Sequence, residues 1–377
     1  MFGKNENKIK RIVIGVSLAI FAALFLVASR GENASVFPEG MERPVDHVAG
    51  RVIDYELIPP SDHSNWYSQE LIVEILSGDL AGVHAEIFHA MPSPLFPHYE
   101  VGDPIVVTLH HATDLLMADG PNRSVILIGF VVLFLALLCI IGGKRGVLSV
   151  FGLIFALLSI TWILVPLTLQ GYSSILIAFI VAVLITLVGI TLLAGVNAKS
   201  LSAIAGCIFG VASAALLAFI VGNWSFITGY HAAAATDARG LINLADIRVS
   251  GIFVSGVIIS ALGAIMDTSV TIASSMEEVK RANPLISAKE LFKSGLNVGR
   301  DAMGTMSNTL ILAFVGSSFA LLLIIFASEV TFFQFINHSD IGVEIIQSIA
   351  GSIGIVLTVP FTTLIAAKLF SMKPVKE

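Results

Sequence analysis

Charge is scarce in this 377-residue chain: Asp, Glu, Lys and Arg make up 13% of it, against 56% hydrophobic residues. Soluble domains average about 25% charged. Side chains this apolar cannot coat a globule, which excludes a soluble single-domain enzyme. The net charge of −6, with no basic stripe to offset it, excludes a nucleic-acid-binding surface. Cysteine is almost lacking as well. Cys139 and Cys207 lie in separate apolar runs, so there is no disulfide framework and no CxxC metal site. Walker A, dinucleotide, HExxH and Ser-His-Asp patterns are missing too. No catalytic residue, cofactor or metal is therefore expected, and the nine histidines read as scattered surface groups. What is present is apolar length. A mean hydropathy of +0.90 describes an integral membrane protein.

A spanning helix needs about 20 mostly apolar residues. Eight stretches qualify: residues 12–29, 124–141, 147–169, 174–196, 201–221, 251–273, 306–327 and 343–367. The expected fold is mainly α, a polytopic bundle of about eight spans. With the N-terminus inside, fifteen of the 21 Lys and Arg fall in cytoplasmic segments and six in outer ones. That bias places both termini in the cytoplasm. The first run is open to two readings, a cleaved signal peptide or an anchor. Its length exceeds the usual ~7–15-residue apolar core of a signal peptide, which favours the anchor. Three regions follow: residues 1–29 as tail and first span, 30–123 outside, and 124–377 as a seven-helix domain with a cytoplasmic amphipathic loop at 276–305.

Residues 30–123 change character. A Pro- and Gly-containing tether gives way to period-two alternation over residues 50–58 and 69–76, with further strands at 83–88 and 104–109. Four or five such strands describe a small barrel or sandwich between the first and second spans.

The stretch from Ala261 to Ser275 puts an aspartate, Asp267, inside a span. A carboxylate at membrane depth costs at least ~2.5–3.5 kcal/mol, so it is retained where it is paired, protonated or facing water. Asp267, Thr271 and Ser274 or Ser275 fall on one helical face, with Thr268 adjacent. As a functional group Asp267 accepts a proton or cation. As a structural one it caps or pairs near the inner interface. The next helix opens with Arg300 and carries Thr305, Asn308 and Thr309, which either line the same path or bond helices together. Arg300 is a charge partner for Asp267 or Asp301, or an inside anchor. Between the two helices, Asn283-Pro284 reads as an N-cap and first helical residue, and Ser287 with Glu290 as a capping box. Gly206 with Gly210, and Gly351 with Gly354, mark faces where backbones pack closely. Pro360 bends the last span.

The run Gly-Ala-Ile-Met-Asp267-Thr-Ser-Val-Thr, then Asn283-Pro284, then Gly-Arg300-Asp-Ala-Met-Gly-Thr305-Met-Ser-Asn-Thr309, resembles the YibE/F family of bacterial membrane proteins. The resemblance implies a multi-pass protein of the bacterial plasma membrane and carries no settled activity. A fainter pattern around Asp267-Thr268-x-Val270, Arg300, Thr305 and Thr309 is similar to SecF, the accessory Sec subunit. There a proton gradient drives an outer domain. Extra spans before the Asp267 helix set this chain apart, so the likeness is an analogy.

Two functions are expected from these readings. In the first, the chain is a proton- or cation-coupled transporter or export-associated protein. Asp267 is its coupling carboxylate, Thr268, Thr271, Thr305, Asn308 and Thr309 its lining, and Arg300 a charge partner. In the second, it is a non-transporting scaffold or accessory subunit whose outer β-domain binds an envelope partner. The lipid bilayer is a partner in both, and a membrane protein or a second copy is open to it. No nucleic acid is expected.

Overall fold

The computed structural model describes residues 2–30, 45–59, 67–91, 98–110, 115–227 and 250–372. The chain divides into two units, residues 37–140 and residues 1–36 with 141–377.

The smaller unit is built on five antiparallel strands, β1 (Val45–Ile58), β2 (Tyr67–Ile75), β3 (His84–Met91), β4 (Pro104–His110) and β5 (Leu115–Pro121). They form one sheet in the order β3-β2-β1-β4-β5. The edge strands β3 and β5 come into contact, so the sheet curls into a half-barrel. Alternation makes its core. Leu71, Val73 and Ile75 point inward and are fully buried, while Glu70 and Ile72 point out. Val52, Ile87, Tyr99, Ile105 and Val107 complete the inner face. Buried Gln69 clasps the chain at Tyr99: its Nε2 donates to the Tyr99 carbonyl at 2.9 Å, and its Oε1 accepts from the Tyr99 N–H at 3.0 Å. The Tyr99 hydroxyl itself is buried with no partner among the described residues. Burial holds this phenol above its ordinary pKa, against the lowering effect of the Arg123 charge.

The larger unit is helical, and the smaller one also holds the first half of α2, up to Ile140. Helix α1 spans Phe2–Arg30 and α2 spans Ser124–Ser159. A π-helical turn, Ile160–Leu164, leads from α2 into α3 (Val165–Leu169). The turn has a local cause. Pro166 has no N–H to give to the ladder, and the N–H of Val165 reaches back five residues to the Ile160 carbonyl. Then follow α4 (Ser174–Ala194), α5 (Ala198–Trp224), α6 (Ser250–Ala282), α7 (Ala288–Ser317), α8 (Phe319–Ala327), α9 (Phe332–Ile336) and α10 (Ser339–Met372). Helix α10 runs unbroken through Pro360.

Among the described residues six helices are long and apolar enough to cross a membrane, or seven with α7 and α8 as one span bent by 60°. The difference from eight arises at Ser124–Leu169, a single run of 46 residues. At 1.5 Å per residue it is about 69 Å long, over twice a hydrocarbon core of about 30 Å. Its ladder is broken at Gly143, where φ is 53° and ψ is −134°. The half before the break is exposed on every face, with Val125, Ile126, Phe130 and Ile140 all at least 70% exposed. An all-round apolar helix of this kind suits lipid.

Glycine places the central helices. A Cβ on Gly206 or Gly210 of α5 would collide with Thr362 or Thr358 of α10. Gly354 of α10 in turn lies against Ala214 and the Gly210 carbonyl. The close approach lets the Thr358 hydroxyl donate to the Gly206 carbonyl at 3.2 Å. Gly295 and Gly299 of α7 meet Thr363 and Val359 of α10 in the same way. The glycine faces read from the sequence are thus the packing faces.

Two local expectations change. Helix α6 runs to Ala282, past the expected end at residue 273, and α7 begins at Ala288, so most of the 276–305 stretch is helix continuous with its neighbours. Asn283 and Pro284 do not start a helix. Lys280 Nζ donates to the carbonyls of Pro284 and Ile286 at 2.8 and 3.2 Å, tying the segment into a turn. The cap is at Ser287, whose capping box with Glu290 is complete.

Candidate functional site

Helix α6 has two unlike faces. Val257, Ala261, Ile265, Thr268, Ile272 and Met276 recur at helical spacing and are buried. The opposite strip, Gly263, Asp267 and Thr271, is open at i, i+4 and i+8. Helices α4 and α7 pack on either side of α6, so the strip is the floor of a groove. Around Asp267 the groove forms a cleft of about 270 Å³. Its walls are Gly189, Ile190, Leu193 and Ala194 of α4 and Met306 of α7, and its floor is Met266, Asp267, Val270 and Thr271. Gly189 matters here because a side chain would narrow the cleft: its Cβ would stand 3.6 Å from the Met266 sulfur. Apart from Thr271, no side chain lining this cleft joins Asp267 as a hydrogen-bonding group. Asp267 makes no hydrogen bond or ion pair among the described residues.

Of the residues singled out in the sequence, Asp267 and Thr271 are brought together and the others are not. Thr268 is fully buried on the far face, its hydroxyl donating to the Ala264 carbonyl at 2.8 Å. Arg300 is exposed and donates to Asn297 Oδ1 at 3.4 Å, so it neutralises neither Asp267 nor Asp301. Thr305 and Thr309 are exposed and bonded back to their own helix, at 3.0 Å to Ala302 and 2.9 Å to Thr305. Asn308 is exposed on α7 outside the cleft. The physical reason is rotational. Gly295, Gly299 and Leu310 turn toward the bundle, and that rotation presents Met306, rather than the threonines, to Asp267.

Some partners have no local signal. Lys199 at the start of α5 pairs with Glu277 of α6, Nζ to Oε2 3.0 Å, with both side chains about four-fifths buried. This ion pair ties α5 to α6 two to three turns beyond Asp267. The opposite charges of Lys199 and Glu277 are the available hint, but nothing in the spacing joins them. The α4 wall of the cleft carries no polar residue to mark it.

A family model described as YibE/F-like protein matches residues 130–372. The chain belongs to the YibE/F family. The match spans every helix that forms the Asp267 cleft and stops short of the half-barrel. No curated protein and no solved structure matches the chain.

Proposed function

We propose that this YibE/F protein is a proton- or cation-coupled membrane protein that drives export or movement at the outer face. In this reading it has eight spans, with Ser124–Leu169 crossing twice about Gly143, both termini in the cytoplasm of a bacterial cell, and the half-barrel outside. The observation that carries the proposal is Asp267. A carboxylate in a span, unpaired and opening on a cleft, is retained against an insertion cost of several kcal/mol. Such a group serves as a reversible acceptor, because the cleft lets water or an ion reach it and no neighbouring charge occupies it. Thr271, one turn away, offers a hydroxyl that both donates and accepts. Thr268, Arg300, Thr305, Asn308 and Thr309 act on this reading only through helix packing and anchoring.

The test uses the full chain in proteoliposomes containing a pH-sensitive dye, with a potassium diffusion potential as the driving force. Wild type moves protons and Asp267→Asn does not, at equal incorporation. Equal movement in both sinks the proposal.

A second reading rests on a different observation. One face of the half-barrel gathers Asp54, Glu56, Glu70 and Glu86 around Tyr55 and Ile72, lining a depression of about 430 Å³. Glu56 and Glu70 are register partners, and like charges opposed across strands are destabilising. A scaffold that docks a basic envelope partner there gains from that repulsion. On this reading Asp267→Asn is silent and partner capture by mild crosslinking depends on the four carboxylates.

A further inference from the structure

Three buried side-chain oxygens along the seam between α7 and α10 have no hydrogen-bond partner among the described residues: Glu344 Oε2, Ser352 Oγ and Ser307 Oγ. Glu344, Ser348 and Ser352 repeat at i, i+4 and i+8, so they share one face of α10. That face continues to Val359 and Thr363, which touch Gly299 and Gly295 of α7. The same crossing pairs Gly351 with Leu310. The helices are therefore antiparallel, and their register brings Ser307 level with Ser352. The unpartnered oxygens form a line rather than a scatter. The line begins at Glu344, near the first turns of α10, and closes where Val359 fills the space over Gly299. Short of that closure, level with Ser352, Ser307 adjoins Met306 in α7, its chain neighbour, which is also a wall of the Asp267 cleft.

A buried polar atom left without a partner is destabilising. Three in one seam are tolerated when water supplies the missing bonds, since internal water typically makes about three hydrogen bonds to groups of this kind. We propose that the α7–α10 seam is a hydrated path that carries protons between Glu344 and Asp267, with Met306 as the side chain they pass. The inference rests on the reading of Asp267 as an acceptor and names its ion as the proton. Hydroxyls and water pass a proton by exchange: each oxygen accepts one proton while its own O–H gives one to the next. The Glu344 carboxyl ends deprotonated and the Asp267 carboxylate ends protonated, with no electron transferred.

The test reads water directly. Full-length S307C and S352C in lipid nanodiscs are exposed to a pulse of hydroxyl radicals generated from water in place, and oxidation of each thiol is read by peptide mass spectrometry. The native thiol of Cys207 is the internal dry reference, being fully buried among the helices. The expected result is oxidation at positions 307 and 352 about tenfold faster than at Cys207, as water within reach requires. Oxidation no faster than at Cys207, in both variants, overturns the path. In the proteoliposome assay, E344Q lowers proton movement to the level of D267N, and E344D restores most of it. Loss in D267N with wild-type movement in E344Q overturns the path and leaves the Asp267 reading standing. Wild-type movement in D267N overturns both.

Discussion

Replacing Gly210 with Ala adds one carbon where α5 and α10 pack backbone to backbone. The new Cβ would stand 2.9 Å from the Ile265 Cγ2 and 3.0 Å from the backbone carbonyl of Gly354, and would run into the Thr358 side chain. Ile265 can rotate, but the Gly354 backbone cannot, so α5 and α10 must part. Forcing extra carbon into a packed core costs about 1–3 kcal/mol. Parting also stretches the Thr358 hydroxyl bond to the Gly206 carbonyl, an interhelical bond worth about 0.6–2 kcal/mol. The sum is a loss of about 2–5 kcal/mol. Gly263→Ala makes the matched control. It lies in α6 with nothing within 4 Å of its would-be Cβ, so the added methyl gains up to about 1 kcal/mol of helix stability. Unfolding by SDS in mixed micelles, followed by near-UV circular dichroism, compares the two. Gly210→Ala unfolds at lower SDS fraction than wild type and Gly263→Ala at equal or higher fraction. Identical midpoints for both variants refute the packing argument.

Other predictions concern the ion pair, the cap and the half-barrel. Lys199→Met or Glu277→Gln leaves a largely buried charge alone and costs up to about 3–5 kcal/mol, while the double variant costs less than the sum; a double-mutant cycle in the same micelles measures the coupling, and simple additivity contradicts it. Ser287→Ala removes the capping box at the start of α7 and costs about 0.5–2 kcal/mol, seen as faster amide exchange over the first turn of that helix and unchanged exchange at its centre. Tyr99→Phe deletes a buried hydroxyl with no partner and leaves stability equal or higher. The phenol is raised in the folded chain, so the folded state holds its proton more tightly than the unfolded one. Its stabilising effect is complete below the ordinary tyrosine range and is lost as pH rises through the folded value. Alkaline unfolding of the wild type is therefore steeper than that of Tyr99→Phe, and parallel curves contradict the assignment.

Where the sequence carries a period, the fold is legible in it. Apolar length marks the spans, alternation marks β1 to β4, and Ser287 with Glu290 marks the cap that starts α7. β5 escapes because Leu115–Pro121 begins with three consecutive apolar residues and ends on Gly-Pro, and because a bulge at Val106/Val107 shifts its pairing. The candidate site is legible only in its central residue. Asp267 announces itself by charge in an apolar run, and Thr271 follows from helical spacing. Which face of α7 meets it depends on Gly295 and Gly299 seating against α10, a long-range contact no local pattern encodes. For that reason Arg300, Thr305, Asn308 and Thr309 stand near Asp267 in the sequence and outside its cleft in the fold. Lys199, Glu277 and Glu344 look like ordinary flanking charges until the helices are assembled around them.

On the proposed function water reaches Asp267, and its carboxyl takes up and releases a proton while the chain is embedded in lipid. Infrared difference spectroscopy of the wild type and Asp267→Asn in nanodiscs tests this without any assumed substrate. The expected wild-type spectrum holds a protonated-carboxyl stretch at acid pH that vanishes on alkalinisation, shifts promptly in heavy water and is missing in Asp267→Asn. A wild-type spectrum identical to that of Asp267→Asn across the titration, with no band that shifts in heavy water, would contradict it.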